Sequence, residues 1–289
     1  MTDTCCGPLK DSNEPIKIRM TYWYILDAFP RLGRSPTIDE IGKDLLLRRD
    51  KIMSIIDSLM AKGALRVEPT SYMILDAYPY SGVPTRHRVH LDNVVSLYCM
   101  CAVDAFYVPF ITGYDLIIRS HCFYCRSEIE ISIKQDKISR AKPSQTVAWN
   151  STAPYDCPKT NFFCSEKHLL KWQEKTPKEP GQLYTLAEAL SAGKRATDRI
   201  KQSKDGLNSI LSAKADEVVC YCRQVPKATI VAAIARGASN LKEIQKATTA
   251  CTGKWCKDTN PRKRCCSIEI EALIEAYTRK EEDNAGECE

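Results

Sequence analysis

The N-terminal third of the chain carries apolar residues at helical spacing. One face of a first predicted helix consists of Tyr22, Ile25, Leu26 and Phe29. A second helix follows, and a third is predicted over residues 48–62, where isoleucine and leucine share one face. Alternating apolar and polar residues at 64–67 and 87–91 predict the strands of a β-wing. Three helices and a wing predict a winged-helix-like module over residues 1–91.

The middle segment, residues 92–215, mixes helical and strand patterns. A helix-like apolar run is predicted across 94–103, and period-two alternation predicts strands at 117–118 and 129–133. A charged helical stretch over 185–214 is predicted to serve as a linker. This segment is therefore predicted to be a mixed α/β core.

The last segment, residues 216–278, predicts a small helical domain. Two short amphipathic helices are expected over 227–237 and 241–248, and the charged tail 279–289 is expected to be disordered. The fold class predicted for the chain is α+β: a winged-helix-like module, a mixed α/β core and a small C-terminal helical domain.

Composition limits the classes of protein to which the chain can belong. A chain of 289 residues with 44% hydrophobic and 27% charged residues is typical of a globular protein of two or three domains. The net charge of +6 is dispersed, so it does not predict binding to nucleic acid. The longest stretch of low charge, residues 94–118, contains two aspartates, so no membrane association is expected.

The chain contains 15 cysteines, and this content bears on its location and chemistry. Residues 1–10 are polar and lack the apolar segment of a secretory signal, so a cytoplasmic location is expected. Thiols stay reduced there, and so many of them favour metal or thiolate chemistry over a disulfide framework.

Six cysteines cluster near the C-terminus: Cys220, Cys222, Cys251, Cys256, Cys265 and Cys266. Two cysteines one residue apart can present both sulfurs to one inorganic core, and a later pair would complete four thiolates. The segments Cys220-Tyr-Cys222, Thr249-Ala-Cys-Thr-Gly253 and Asn260-Pro261 resemble the ferredoxin-like [2Fe–2S] domain related to bacterioferritin-associated ferredoxin.

This resemblance implies a [2Fe–2S] cluster held by four ligands, Cys220, Cys222, Cys256 and Cys266. Cys251 and Cys265 are alternative ligands, and zinc in a site of four thiolates is the alternative occupant. An electron-transfer partner is a further expectation from the cluster.

A second group combines thiols with a carboxyl group. Cys101 and Asp104 are three residues apart, so on a helix they would share one face. Cys164 would have to be brought to them by the fold. Two thiolates and one carboxyl group around a common point suit a soft, thiophilic metal whose chemistry also requires a proton.

The surrounding sequence resembles the alkylmercury (organomercurial) lyase family. The similar segments are Tyr98-Cys-Met-Cys-Ala-Val-Asp-Ala-Phe-Tyr-Val-Pro-Phe-Ile-Thr-Gly113, Ser120-His-Cys122 and Asn161-Phe-Phe-Cys164. The resemblance extends over about residues 16–215. It implies the catalytic trio Cys101, Asp104 and Cys164, with Hg(II) bound by the two cysteines, and it implies a structural role for Cys122.

The family resemblance implies protonolysis of a carbon–mercury bond, which yields a hydrocarbon and Hg(II). Thiolates would bind mercury and Asp104 would deliver the proton to carbon. The expected partners are an organomercurial substrate and, as acceptor of Hg(II), a thiol protein or mercuric reductase.

Two alternatives lie outside this enzyme class. In a metal chaperone or sensor without lyase activity, Cys99, Cys101, Cys122 and Cys125 would hold zinc or copper. In a metal-responsive winged-helix regulator, the helix at 48–62 would contact DNA phosphates.

Overall fold

A computed structural model describes residues 9, 14–92, 95–153, 157–202, 204 and 207–278. The predicted tail and the cysteines at positions 5, 6 and 288 lie outside this part of the chain. Within this part of the chain, 3-10 helices span Asp104–Phe106 and Cys157–Lys159. The α-helices are α1 (Ile16–Leu32), α2 (Ile38–Leu45), α3 (Arg49–Ala61), α4 (Val108–Thr112), α5 (Glu166–Gln173), α6 (Leu186–Gln202), α7 (Ser209–Ser212), α8 (Lys227–Ala235), α9 (Leu241–Thr248), α10 (Cys256–Thr259) and α11 (Ser267–Thr278).

Among the described residues, the β-strands form three antiparallel sheets. The strands are β1 (Leu65–Val67), β2 (Ile74–Ala77), β3 (Tyr80–Ser81), β4 (His87–Leu91), β5 (Ser96–Cys99), β6 (Leu116–His121), β7 (Glu128–Lys134), β8 (Lys137–Lys142), β9 (Val147–Ser151), β10 (Asn161–Phe163), β11 (Gly181–Thr185), β12 (Val218–Cys220) and β13 (Val225–Pro226). A large sheet has the order β1-β2-β3-β5-β4-β6-β7-β8, and a smaller one has the order β10-β9-β11. The third pairs β12 with β13.

Burial alternates along the central strands of the large sheet, as the period of two predicts. On β7, Ile129, Ile131 and Ile133 are buried, and the residues between them are partly exposed. β6 pairs with β7 in register, with Ile118 opposite Ile131. The strands predicted at 117–118 and 129–133 are therefore confirmed, and their apolar face forms part of the core.

Two compact units divide the described chain. The first contains Ile25–Thr37 and the described part of Met53–Asp205. The second contains Glu14–Tyr24, Ile38–Ile52 and the described part of Gly206–Glu289. The large sheet lies in the first unit, and the C-terminal cysteines lie in the second. The predicted limits at 91, 215 and 278 and the winged-helix assignment remain predictions.

Two local expectations need correction. The apolar run at 94–103 contains strand β5 rather than a helix, because it adds to the sheet between β3 and β4. The strand at 65–67 pairs with β2, not with the strand at 87–91, because the turn between β1 and β2 closes a nearer hairpin. The segment 87–91, as β4, pairs instead with β5 and β6.

Helix α6 is a core element rather than the predicted linker. Ala189, Thr197 and Ile200 are buried along one side of it. At Gly193 an added Cβ would lie 2.3 Å from the carbonyl oxygen of Phe106. The helix therefore approaches the 3-10 helix Asp104–Phe106 as closely as a residue without a side chain permits.

Across the described residues, no helix combines the length and apolar character that crossing a bilayer requires.

Gly193→Ala should lower the stability of the protein by about 1–3 kcal/mol, because the new methyl group forces α6 away from Phe106. The midpoint of urea unfolding measures this effect. Lys194→Ala is the matched control, since Lys194 is exposed on the same helix. Equal midpoints for the two variants would contradict the close approach.

Candidate active site

The turn after β5 brings a thiol and a carboxyl group together. β5 ends at Cys99, and Asp104 begins the 3-10 helix Asp104–Phe106. The backbone N–H of Asp104 donates a hydrogen bond to Sγ of Cys101 over 3.4 Å. Cys101 is 4% exposed and Asp104 is 2% exposed. The structure thus brings these two predicted residues together in a buried place.

A second cysteine, Cys157, joins this pair. Its Sγ lies 3.8 Å from Oδ2 of Asp104, and the candidate ligand atoms of Cys101, Asp104 and Cys157 all lie within 4.8 Å of one another. The backbone N–H of Ala102 donates to the carbonyl oxygen of Thr160 over 3.2 Å, which ties the two chain segments together. The sulfur of Cys157 also takes part in a disulfide bond.

Cys164, which the family resemblance assigns to the mercury site, belongs to a different group. Its Sγ lies 3.0 Å from Nδ1 of His168 and 3.7 Å from Sγ of Cys125. Cys157 precedes β10 and Cys164 follows it, so the strand separates the two sulfurs. Cys157 therefore takes the position beside Cys101 that was predicted for Cys164.

The sequence itself contains a signal for Cys157. Both cysteines flank the same short apolar segment, Asn161–Phe163, at positions 157 and 164. The spacing of 63 residues between Cys101 and Cys164 favoured the latter, but it carries no information about which end of the strand faces Cys101.

Burial has the largest effect on the pKa values of Cys101 and Asp104. Burial raises the pKa of Asp104 to about 7, although hydrogen bonds with Cys101 oppose the shift and the charge of Asp76 adds to it. Burial also raises the pKa of Cys101 well above its usual range, and Asp104 raises it further. At neutral pH the site therefore contains a carboxyl group that readily takes up and releases a proton, beside a thiol.

Aromatic and aliphatic side chains enclose this group. The rings of Tyr78 and Tyr107 lie 5.4 Å apart, and both residues pack in the cluster that contains Cys101. Ile111 and Tyr184 pack against the same cluster. Burial raises the pKa of Tyr78 and of Tyr107, so both hydroxyl groups stay protonated at neutral pH.

A cavity of about 480 Å³ adjoins the group on the side of Cys157. Its lining includes Cys157, Met100, Arg66 and Arg86. Arg66 forms an ion pair with the buried carboxylate of Asp76. Cys157 therefore lines a partly polar cavity of small-molecule size.

The C-terminal cysteines form a continuous set of neighbouring sulfurs. Sγ of Cys222 lies 3.7 Å from Sγ of Cys220 and 3.8 Å from Sγ of Cys256. Burial raises the pKa of Cys266, and the neighbouring Cys220 raises it further. The four predicted cluster ligands are thus neighbours in the fold.

The two alternative ligands lie in the same neighbourhood. Sγ of Cys251 lies 2.9 Å from Sγ of Cys265, and both lie within 4.8 Å of Sγ of Cys266. The structure therefore brings all six C-terminal cysteines into one neighbourhood.

The backbone around this set leaves room for sulfur. An added Cβ at Gly253 would lie 2.4 Å from Sγ of Cys222, so a residue without a side chain is required there. The backbone N–H of Cys251 donates to Sγ of Cys220 over 3.4 Å. N–H donors to cysteine sulfur are a feature of iron–sulfur sites, so the donor set and its surroundings fit a cluster held by thiolates.

Neither alternative class gains support from the geometry. Arg48 and Arg49, expected to face DNA phosphates, instead form ion pairs with Asp50 and Asp39. The four cysteines of the chaperone alternative do not form one group among the described residues.

Comparisons with known proteins match the part of the chain that contains the first of these sites. Residues 80–198, which include Cys101, Asp104 and Cys157, match the model of the MerB alkylmercury lyase family. A solved structure, the mercury-bound form of MerB2, is similar with a TM-score of 0.52 and 23% identity, over 64% of this chain and 98% of that chain. No curated protein matches. The structural likeness shows a shared fold, and the family match identifies residues 80–198 as an alkylmercury lyase domain.

Proposed function

We propose that the chain cleaves organomercurials by protonolysis at Cys101, Asp104 and Cys157. The observation that carries this proposal is the grouping of two sulfurs and one carboxyl group within 4.8 Å, with Cys101 and Asp104 buried. Thiolates are the ligands that soft metals prefer, and the family match gives mercury as the metal of the substrate.

The reaction balances without an oxidant or reductant. The substrate R–Hg⁺ binds the sulfurs of Cys101 and Cys157, whose two thiol protons are released. One of these protons passes through Asp104 to the carbon, which keeps both electrons of the broken C–Hg bond. The products are R–H, one proton in solution, and Hg(II) bound by two thiolates.

The surroundings suit each part of this step. A carboxyl group with a pKa of about 7 both accepts a proton from a thiol and gives it to carbon near neutral pH. The walls formed by Tyr78 and Tyr107 exclude water from the bond that breaks. Hg(II) then leaves through the cavity to a thiol protein or mercuric reductase.

Cys157 must be a thiol for this chemistry, whereas the structure has it in a disulfide bond. The working enzyme is therefore the reduced form. Assays accordingly begin with protein that has been reduced and then freed of reductant under argon.

We further propose that the C-terminal cysteines hold a [2Fe–2S] cluster. Cys220, Cys222, Cys256 and Cys266 would be its ligands, which their neighbouring sulfurs and the space at Gly253 support. Such a cluster supplies one-electron chemistry. The lyase step is redox-neutral, so this function is separate and requires its own electron-transfer partner.

Cys101→Ser and Cys157→Ser should each abolish methane release from methylmercury, because a hydroxyl group replaces a mercury-binding thiolate. Headspace gas chromatography of the reduced proteins measures the release. Cys99→Ala is the matched control, since Cys99 is equally buried but outside the group, and it should keep its activity. Unchanged methane release from Cys157→Ser would overturn the assignment.

Asp104→Asn should lower the rate of methane release by about 10²–10⁴-fold, because an amide neither holds nor delivers the proton.

The substitution Asp104→Asn should also stabilise the protein at high pH. The folded state holds its Asp104 proton up to about pH 7, whereas the unfolded chain loses it near pH 4. Stability of the wild type therefore falls as pH rises from 4 to 7, by on the order of 3 kcal/mol from this group.

Urea unfolding at pH 4 and pH 8 measures this effect as the difference between Asp104→Asn and the wild type. Asp136→Asn is the control, because Asp136 is exposed and its positive φ of 59° is one that asparagine adopts easily. A pH-independent difference for Asp104→Asn would show that the buried carboxyl group does not carry the raised pKa.

For the C-terminal site, anaerobically purified protein should contain two irons and two sulfides per chain and show a visible chromophore that dithionite reduces. Cys220→Ser and Cys256→Ser should lose it, whereas Cys251→Ser and Cys265→Ser should keep it. A colourless protein that contains zinc in place of iron would contradict the cluster, and loss of colour in Cys251→Ser would contradict the choice of ligands.

A further inference from the structure

A third group of metal-binding side chains lies outside both proposed sites. It consists of Cys122, Cys125, Cys164 and His168, whose candidate ligand atoms all lie within 4.8 Å of one another. The group lies within the first unit, and neither the mercury chemistry nor the predicted cluster uses it. Its residues come from two segments, the turn between β6 and β7 and the start of α5.

The spacing within each segment is typical of zinc ligands. Cys122 and Cys125 are separated by two residues, and Cys164 and His168 by three. A cysteine pair on a tight turn and a second pair at a helix start offer four ligands from two directions. His168 lies in the first turn of α5, so its ring reaches back over Cys164.

The interatomic distances fit tetrahedral coordination. With Zn–S bonds of about 2.3 Å, two sulfurs on one tetrahedral zinc lie about 3.8 Å apart. Sγ of Cys125 and Sγ of Cys164 are separated by 3.7 Å. Nδ1 of His168 lies 3.8 Å from Sγ of Cys122 and 3.0 Å from Sγ of Cys164. All four donors thus surround one point at close to zinc-binding separations.

Backbone hydrogen bonds hold the cysteine turn in this shape. The N–H of Cys122 donates to the carbonyl oxygen of Ser127 over 2.8 Å, and the N–H of Arg126 donates to the carbonyl oxygen of Cys122 over 2.9 Å. Arg126 has a positive φ of 66°, which closes the turn. The N–H of Phe123 donates to the carbonyl oxygen of Phe162 over 2.9 Å, so the turn is joined to β10.

Nearby positive charge complements the group. A zinc ion with three thiolates and one imidazole carries a net charge of −1. The guanidinium of Arg86 lies 4.7 Å from the ring centre of Phe123, and that of Arg126 lies 5.9 Å from it. Phe123 directly follows Cys122, so both guanidinium groups lie beside the turn that carries Cys122 and Cys125.

We propose that Cys122, Cys125, Cys164 and His168 bind one Zn²⁺ ion that joins the β6–β7 turn to the β10–α5 junction. All four ligand positions are filled by the protein, which is the mark of a structural rather than a catalytic zinc site. The ion holds the far end of β10, the strand whose near end leads from Cys157. It therefore stabilises the segment that supplies one side of the mercury site.

Zinc content measured by mass spectrometry tests this inference without any lyase assay. Cys125→Ser and His168→Ala should each contain one zinc less per chain than the wild type, and their thermal unfolding should occur at lower temperature. Because Cys125 is exposed, its substitution leaves the packed core intact. Cys99→Ala is the control and should keep the full zinc content.

The variant His168→Cys tests whether His168 is a zinc ligand or only a packing residue, because it converts the site to four thiolates. If His168 is a ligand, this variant should retain the zinc that His168→Ala loses. Reconstitution with Co²⁺ should give visible d–d bands of tetrahedral cobalt that disappear in Cys125→Ser. Equal zinc contents in the wild type, Cys125→Ser and His168→Ala would overturn the proposal. Loss of zinc in His168→Cys would also exclude His168 as a ligand.

Discussion

The burial of one carboxyl group constrains the whole lyase domain. Asp104 has almost no contact with solvent, and a charged carboxylate in such a place is costly unless it is neutralised or hydrogen-bonded. Hydrogen bonds with Cys101 favour the charged form of Asp104, but the cost of burial is larger. The group therefore holds a proton more tightly than in water, and the walls around it must be apolar and closely packed. The close packing of Gly193 against Phe106 and the cluster that contains Tyr78 and Tyr107 satisfy that demand.

In each cysteine group, the sequence predicts the members that are close to one another along the chain. Cys101 with Asp104, and Cys220 with Cys222, are close along the chain, so their spacing already fixes their proximity. The remote member of each group depends on how distant strands meet. β10 has one cysteine before it and one after it, and nothing in the local pattern tells which end faces Cys101. The same holds for His168, because a lone histidine is recognised as a ligand only when the fold brings cysteines to it from another segment.

The same reasoning explains why the sequence pattern predicts the wrong structure or role for two elements, β5 and α6. β5 has an apolar run that suits a buried helix or a central strand equally well, and the sheet decides between them. α6 is rich in charged residues, which predicts a linker, but its buried side includes small residues such as Ala189 beside Ile200. Small residues contribute little to a hydrophobic pattern and yet allow the closest packing. Strand alternation at β6 and β7, by contrast, has a single interpretation and was predicted correctly.

The sulfurs of Cys101 and Cys157 beside Asp104 differ in their access to the cavity. Cys157 lines the cavity, whereas Cys101 lies behind it in the protein interior. In the proposed reaction, an arriving mercury ion would meet the outer sulfur first and the inner one afterwards. Departure would run in the opposite order, so an external thiol would displace the ion only after the deeper bond had been released. Ligand exchange would thereby be sequential, and the depth of a single thiol would set the residence time of the bound product.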